Sequence, residues 1–229
     1  MFSQNELENI KKGMEKLKDK VNLKIFTDYK TKDDNTKVRT CMACEGTFNL
    51  LQTLAEHSSG KLLINEISTE ENIEESEKYN VKRVPTILFL DDKGEEIIRY
   101  TATPTGPELA PFIETLQYFS GVNSFYRDTI QANLKKMSKS DVKLFITLTC
   151  PYCPSVIPVL NLFALLSKGK IKSEIIDINL NPDIAMKYNV QGVPHAMINE
   201  KEHISGMFSP QDLLDKLTKG KREFDGMYA

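Results

Sequence analysis

The sequence repeats itself at a spacing of 109 residues. The pair Cys41–Cys44 returns as Cys150–Cys153, and the segment KYNVKRVPT returns as KYNVQGVPH. In both copies 44 positions separate the first cysteine from the proline of this segment, so no net insertion lies between them. A chain of 229 residues is long enough for two domains of about 110 residues each. We therefore predict a duplicated domain, with residues 1–120 as the first copy and residues 121–229 as the second.

Each copy predicts the same order of elements, α-β-α-β-α-β-β-α. Apolar residues at helical spacing indicate the helices, and β-branched and aromatic runs such as KLFITLT indicate the strands. Gly60 and Gly169 stand where a left-handed residue ends the helix that follows each cysteine pair. The predicted fold class is therefore α/β, with a mixed central sheet flanked by helices. The copies differ at DYKTKDDNTKVRT, a charged insertion before Cys41 that we expect to be a solvated loop rather than a partner-binding element.

Composition excludes several classes of function. A net charge of −2 does not favour a nucleic-acid partner. The apolar runs are interrupted well before the roughly 18–20 residues that a membrane-spanning helix needs. The amino terminus is charged and amphipathic, unlike a secretory signal, so we expect a cytoplasmic protein. Four cysteines in that compartment indicate redox groups or metal ligands before structural disulfides.

The spacing of each cysteine pair favours dithiol chemistry. Residues three apart on a helix share a face, so the two sulfurs can close a small disulfide ring. A first cysteine at a helix start lies near unpaired backbone N–H groups and the positive end of the helix dipole, which favour the thiolate. We predict Cys150 and Cys41 as nucleophiles and Cys153 and Cys44 as resolving thiols. The dithiols carry the electrons themselves, so no organic cofactor or metal is required.

Prolines distinguish the second pair from the first. Pro151 is expected at the first helical position and Pro158 inside the helix, where the first copy has Met42 and Asn49. Different residues between the cysteines predict different reduction potentials, within the ~−120 to −270 mV span of known dithiol catalysts. Two unlike potentials would suit the relay of electrons between the sites.

CPYC at a strand-to-helix turn, followed by Val-Pro before another strand, resembles the thioredoxin superfamily, and CPYC itself is the glutaredoxin-type sequence. A chain with two such units is similar to the archaeal protein disulfide oxidoreductases, also called glutaredoxin-like proteins. The resemblance spans roughly Leu23 to Lys219. It implies two tandem thioredoxin-like domains joined edge to edge, and a thiol–disulfide oxidoreductase that acts on protein disulfides.

The resemblance also implies a substrate-binding surface. In thioredoxin folds the proline is cis and faces the cysteines, and the backbone of the residue before it binds an extended stretch of substrate. The residues that this implies or that flank the sites are Val84, Pro85, Val193, Pro194, Tyr152 and His195. His195 could favour the Cys150 thiolate, and Tyr152 could shape the substrate surface. His57 and His203 are expected on the surface.

Two departures from the family qualify the resemblance. Thioredoxins carry a buried acid six positions before the first cysteine, where this chain has Leu144, so the proton of Cys153 must leave by another route. Glutaredoxins that use glutathione show Gly-Gly and an acidic pair soon after the cis-proline, and this chain has NEKE with a single Gly206. A thioredoxin-reductase-like flavoprotein is therefore the expected electron source.

Other functions stay open at this stage. A four-thiolate zinc site is disfavoured, because 105 residues separate the pairs and zinc ribbons use about 15–20. An iron–sulfur cluster bridging two chains is a minor alternative. A further alternative is an electron-delivery module for a peroxidase, similar to the tandem thioredoxin folds of hydroperoxide reductase flavoproteins, which keep one working pair. The sequence leaves the direction of the redox reaction undetermined.

Overall fold

The computed structural model describes residues 2–221; residues 222–229, the last of the second predicted domain, lie outside it. The first half contains α1 (Gln4–Met14), β1 (Val21–Thr27), β2 (Lys30–Thr31), β3 (Lys37–Val38), α2 (Met42–Glu56), β4 (Leu62–Ser68), α3 (Ile73–Lys78), β5 (Thr86–Leu90), β6 (Glu96–Thr101), a 3₁₀ turn (Gly106–Glu108) and α4 (Leu109–Phe119). The second half contains α5 (Arg127–Asn133), β7 (Ser140–Ile146), α6 (Cys153–Leu166), β8 (Ile171–Asp177), α7 (Pro182–Lys187), β9 (His195–Ile198), β10 (Glu202–Ser205) and α8 (Pro210–Thr218). The predicted order is confirmed in both halves, with β2 and β3 added inside the insertion of the first.

Eight strands form one continuous sheet in the order β10-β9-β7-β8-β6-β5-β1-β4. The two halves meet where β6 pairs with β8 in parallel, with Ile98 opposite Ser173 and Thr101 opposite Ile176. The predicted edge-to-edge junction is therefore confirmed. Strands β4 and β10 are the two edges of the joined sheet.

The two segments that lead to the cysteine pairs leave the sheet at the same end of the strands. Strand β1 is antiparallel to β5, β5 is antiparallel to β6, and β6, β8 and β7 are mutually parallel. Strands β1 and β7 therefore end on the same side, four strand spacings apart. At about 4.8 Å per spacing, the two strand ends lie roughly 20 Å from each other.

The two faces of the sheet are packed differently. One face carries a single apolar core that runs through both halves and includes residues of α1, α2, α4, α5, α6 and α8. Helix α4 of the first half packs against α6 of the second on this face. The opposite face has two small separate cores, one centred on Phe26 beside α3 and one on Phe145 beside α7. A polar groove of about 460 Å³ lies between them, lined in part by Arg99, Lys172 and Glu174.

A buried polar cluster joins the halves inside the main core. The Asn161 side-chain amide on α6 donates to the Tyr100 hydroxyl at 2.7 Å and to the Thr115 hydroxyl at 3.0 Å. The Ser173 hydroxyl donates to the Asn161 side-chain oxygen at 2.7 Å. Tyr100 and Thr115 belong to the first half, so Asn161 satisfies buried groups from both sides of the junction.

Within residues 2–221, every helix is too short or too polar to cross a bilayer. The cytoplasmic location expected from the sequence stays a prediction.

Candidate active site

The first cysteine pair lies at the start of α2, as predicted. Cys41 is the N-cap residue, and its sulfur accepts a hydrogen bond from the Cys44 backbone N–H at 3.1 Å. The two cysteines are joined by a disulfide. Cys44 is fully buried and Cys41 is half-buried, while Met42 between them is 97% exposed. Cys41 is therefore the sulfur that a partner can reach.

The insertion before Cys41 is a hairpin that is anchored to the sheet, so the expectation of a simple solvated loop is wrong in part. Strands β2 and β3 are exposed and pair with each other. The Arg39 side chain, however, is 7% exposed and its guanidinium lies 2.6 Å from the Glu66 carboxylate on β4 and 2.8 Å from Glu45 on α2. Thr27 also donates to Glu66, at 2.8 Å. These contacts fix the end of the insertion directly before Cys41.

Asp28 begins the same insertion and contacts the first pair. Its Oδ2 accepts hydrogen bonds from the backbone N–H groups of Thr40 at 3.0 Å and Cys41 at 2.8 Å, and from the Thr40 hydroxyl. One of its carboxylate oxygens and the sulfurs of Cys41 and Cys44 all lie within 4.8 Å of one another. Within residues 2–221 this is the one group of three ligand-type side chains close enough to share a metal ion. The four cysteines therefore do not converge on one zinc site.

The second pair lies on a turn rather than on a helix start. Helix α6 begins at Cys153, and Cys150–Tyr152 form the turn between it and β7. The prediction that Pro151 occupies the first helical position is wrong, and Pro154 lies in the first turn of α6 instead. The donor geometry is nevertheless the same as in the first pair, because the Cys153 N–H donates to the Cys150 sulfur at 3.2 Å.

The second pair is more buried than the first. Cys150 is 7% exposed and Cys153 is fully buried, and both are free thiols. Burial raises the pKa of Cys153, and the hydrogen bond with Cys150 raises it further. Cys153 is therefore a thiol that must lose its proton before it can act as a nucleophile.

Both X-Pro bonds that were predicted to be cis are cis, namely Val84–Pro85 and Val193–Pro194. In the second half the Cys150 thiol lies 3.7 Å from the Val193 carbonyl oxygen, to which it donates. Val84 and Val193 are half-buried, whereas both prolines are buried. The backbone beside the cis-proline is thus next to Cys150, while the role of Cys150 as nucleophile and a role of this backbone in substrate binding stay predictions.

His195 and Tyr152 have different surroundings. The His195 ring nitrogen Nε2 lies 2.9 Å from Nδ1 of His203, and the ring packs against Phe145 on the α7 face of the sheet. Burial lowers the pKa of His195, and the adjacent His203 lowers it further. Within the described chain its polar partners are His203 and Ser205 rather than the cysteines. Tyr152 is 57% exposed beside Cys150. The roles assigned to both residues stay predictions.

Glu108 is a site residue that the sequence patterns did not identify. It ends the 3₁₀ turn before α4, which packs against α6 of the other half. Its carboxylate is 2% exposed, and neither oxygen has a hydrogen-bond partner within residues 2–221. Burial, with a smaller effect of the buried Asp177, raises the pKa of Glu108 to about 7. The charge of Glu108 also contributes to the raised pKa of Cys153.

Comparisons with known structures agree with this architecture. A protein disulfide oxidoreductase from Aeropyrum pernix superposes with a TM-score of 0.78 over 98% of this chain and 97% of that chain, at 24% identity. A domain of alkylhydroperoxide reductase AhpF from Enterococcus faecalis superposes with a TM-score of 0.79 over 95% of this chain and all of that chain, at 19% identity. The chain is a tandem thioredoxin-fold protein. These similarities show the fold, which includes both cysteine-bearing units.

Sequence comparison supports the same assignment over part of the chain. Residues 140–219, which contain the second pair and its cis-proline, match the thioredoxin domain family. The alkyl hydroperoxide reductase AhpF of Staphylococcus aureus is 29% identical over 154 residues, which cover 66% of this chain and 29% of that protein. The AhpF protein of Escherichia coli is 24% identical over 158 residues, 69% of this chain and 30% of that protein. This chain thus aligns with less than a third of the length of these relatives.

Proposed function

We propose that the protein is a thiol–disulfide oxidoreductase that exchanges electrons between its two dithiol pairs and protein disulfides. The observation that carries this proposal is the setting of Cys150. Its sulfur accepts the Cys153 N–H and lies 3.7 Å from the Val193 carbonyl next to a cis-proline. A thiol held between a helix-start donor and the backbone that leads into a strand is suited to attack an extended disulfide-bearing segment.

The reaction proceeds in two exchanges. The Cys150 thiolate attacks one sulfur of the substrate disulfide, a Cys150–substrate bond forms, and the other substrate sulfur leaves as a thiolate that takes up a proton. Cys153 then loses its proton and attacks the Cys150 sulfur, which forms the Cys150–Cys153 disulfide and releases the second substrate thiol. Two electrons have passed from the protein to the substrate, whose two thiols gain one proton that Cys153 gave up and one from solvent.

Glu108 can accept the proton of Cys153. Thioredoxins carry a buried acid at the position of Leu144, and Glu108 takes over that role here. A carboxylate with a pKa of about 7 can accept a proton from Cys153 at neutral pH and return it later. The burial of the Glu108 carboxylate without a hydrogen-bond partner within residues 2–221 keeps its pKa near neutral pH. The first half thus provides the acid–base group for the pair carried by the second half.

The remaining assignments follow the same scheme. The first copy, residues 1–120, would use Cys41 as nucleophile and Cys44 as resolving thiol, and the second copy is residues 121–229. Val84–Pro85 and Val193–Pro194 would hold the substrate backbone, with Tyr152 and His195 at the margin of the second site. The family that this suggests is that of the protein disulfide oxidoreductases, and the A. pernix structure of that name supports it.

Electron delivery to a peroxidase is the second candidate function. The sequence similarity to alkyl hydroperoxide reductase AhpF and the matching E. faecalis domain favour it. The dithiol chemistry would be the same, with a peroxidase disulfide as the substrate. A thioredoxin-reductase-like flavoprotein is the proposed source of electrons in either case.

Insulin-disulfide reduction, with NADPH and a thioredoxin reductase as electron source, tests the proposal. We expect the combined Cys41→Ser and Cys150→Ser variant to lose turnover, and Cys150→Ser alone to lose more than Cys41→Ser alone. Full turnover in the combined variant would refute the assignment. Replacing insulin by a two-cysteine peroxidase with peroxide distinguishes the second candidate, because NADPH consumption must then depend on this protein.

A further inference from the structure

Asp28 places a carboxylate next to both sulfurs of the first pair, closer than any carboxylate within residues 2–221 lies to both sulfurs of the second. One of its oxygens lies within 4.8 Å of the sulfurs of both Cys41 and Cys44. Within residues 2–221 no third carboxylate or imidazole approaches the sulfurs of Cys150 and Cys153 in this way. The two pairs therefore differ in the charge next to their sulfurs as well as in sequence.

The Asp28 carboxylate is held in place and kept ionised. Burial disfavours its charged form, but hydrogen bonds from Thr40 and Cys41 outweigh burial and lower its pKa below the usual value. Its Oδ1 is buried and has no hydrogen-bond partner within the described chain. A negative charge is thus fixed at the site at neutral pH.

The cations around Asp28 are engaged elsewhere. Arg39 is paired with Glu66 and Glu45, and Lys37 is paired with Glu66. These groups belong to the hairpin, α2 and β4, the elements that pack around the first site.

The loop before the first cis-proline carries two more cations in addition to Arg39 and Lys37. Arg83 of this loop is paired with Asp183 of the other half, and Lys82 is exposed. In the part of the chain that the structure describes, no ion pair neutralises Asp28.

We propose that Asp28 is a positioning residue that disfavours the Cys41 thiolate and thereby holds the first pair more firmly in its disulfide form. This inference rests on the proposed function. A neutral disulfide near a carboxylate meets no charge repulsion, whereas a thiolate at the same distance does. Oxidation of the pair removes two electrons and two protons, so the fixed charge stabilises the product relative to the ionised reactant. The first pair is thereby made a stronger reductant than its helix-start geometry alone would allow.

The charge of Asp28 opposes a hydrogen bond that stabilises the Cys41 thiolate. The Cys44 N–H donates to the Cys41 sulfur at 3.1 Å, which favours ionisation. The second pair has the same donation at 3.2 Å, and its acidic neighbour Glu108, with a pKa of about 7, is only partly ionised at neutral pH. Asp28 should therefore separate the two reduction potentials in addition to any effect of the residues between the cysteines.

Thiolate titration of the first pair tests the proposal. In the Cys150→Ser, Cys153→Ser background, the ultraviolet absorbance of the thiolate is followed against pH in the reduced protein. We expect Asp28→Asn to lower the midpoint by about one pH unit, since the amide oxygen can still accept the backbone hydrogen bonds while the charge is gone. Asp28→Glu, which keeps the charge, should stay near the starting value. Asp33→Asn is the matched control, because Asp33 is an exposed acid of the same insertion.

The dithiol–disulfide equilibrium provides the second readout. In glutathione redox buffer at about pH 8, Asp28→Asn should shift the equilibrium several-fold toward the dithiol, where a tenfold shift is about 30 mV. Asp28→Ser replaces Asp28→Asn if that variant does not fold. An unchanged or raised midpoint in the neutral variant, or an equal shift in Asp33→Asn, overturns the inference. Insulin reduction by the unaltered protein separates the two claims, because its failure would refute the proposed function and leave the titration result standing.

Discussion

The first site lies at the periphery of the molecule and the second lies beneath the junction of the two halves. Helix α2 is flanked by the inserted hairpin, and Cys41 is half-buried beside Asp28. Helix α6 is covered by α4 of the other half, Cys150 and Cys153 are both buried, and the charge of Glu108 contributes to the raised pKa of Cys153. The duplicated motif is the same in both sites, whereas the acidic residue comes from an insertion in one and from the neighbouring domain in the other. Two copies of one motif can therefore differ because different structural elements supply the acidic residue near each cysteine pair.

The ion pair between Arg39 and Glu66, which anchors the hairpin of the first half, gives the test of this difference with the largest expected effect. Glu66 occupies the position that Ile175 occupies in the second half, and its side chain is 3% exposed. Arg39→Ala removes its main partner, and we expect the free energy of unfolding to fall by about 3 kcal/mol, because the buried carboxylate keeps Lys37 but loses its closer cation. Denaturant unfolding measures this loss.

Two further variants control that experiment. Arg83→Ala removes an arginine from an exposed pair with Asp183, so its cost should stay within about 1 kcal/mol. Adding Glu66→Ile to Arg39→Ala should recover part of the loss, because no buried charge is then left unpaired. Equal costs for the two arginine variants would show that the hairpin is not anchored as described.

Glu108 offers the next test, on the second site alone. In a Cys41→Ser, Cys44→Ser background, Glu108→Gln should slow resolution of the Cys150 mixed disulfide by about a hundred-fold. The rate in the unaltered site should rise with pH to about 7 and then level, because Glu108 must be ionised to accept the proton. Rapid-quench trapping of the mixed disulfide measures both. A variant that keeps the inflection near pH 7 would assign it to another group, and Glu56→Gln on the exposed side of α2 is the control.

The same glutamate predicts a pH dependence of stability. Its pKa in the folded state, about 7, lies above the ordinary value of 4.5, so the folded protein binds more protons than the unfolded chain between these values. The contribution of protonated Glu108 is fully present below about pH 4.5 and is lost as pH rises through about 7. Glu108→Gln should therefore remove this decline in the free energy of unfolding, which is about 3 kcal/mol. Parallel curves for the two proteins would contradict it.

Helix α6 permits a smaller test at matched positions of the repeat. Asn161 corresponds to Gln52, which is exposed on α2. Asn161→Ala leaves buried hydroxyl groups of Tyr100 and Thr115 without their donor, and we expect a loss of about 2 kcal/mol. Gln52→Ala should change the free energy of unfolding by less than about 0.5 kcal/mol. Similar values for both would mean that the polar cluster does not contribute to the junction.

Local patterns in the sequence were sufficient for the elements and the motif. The repeat and the apolar periodicities predicted the order of elements, and the family resemblance that the motifs carry implied the edge-to-edge sheet and the two cis bonds. These features depend on neighbouring residues or on landmarks that occur twice. The predicted start of α6 is two residues too early, because Pro151 suits a turn as well as a first helical turn.

The acidic residues could not be predicted because their contacts are long-range. Glu108 lies in the first half and acts on a cysteine of the second, and the sequence marks it only as part of a helix start. Asp28 lies in an insertion whose two-residue strands are too short to show alternation, so nothing in its pattern points back toward Cys41. The ion pair between Arg39 and Glu66 joins residues 27 positions apart, with no periodicity that relates them.

The parallel pairing of β6 with β8 bears on how such a protein could arise. A solitary unit that ends after α4 would leave the backbone donors and acceptors of β6 open to any other extended chain, and exposed strand borders of this kind promote aggregation. Fusion of two copies pairs one edge strand of each copy with the other, so that β4 and β10 are the edge strands of the joined sheet. Tandem duplication here is thus a means of solubility as well as a doubling of the chemistry.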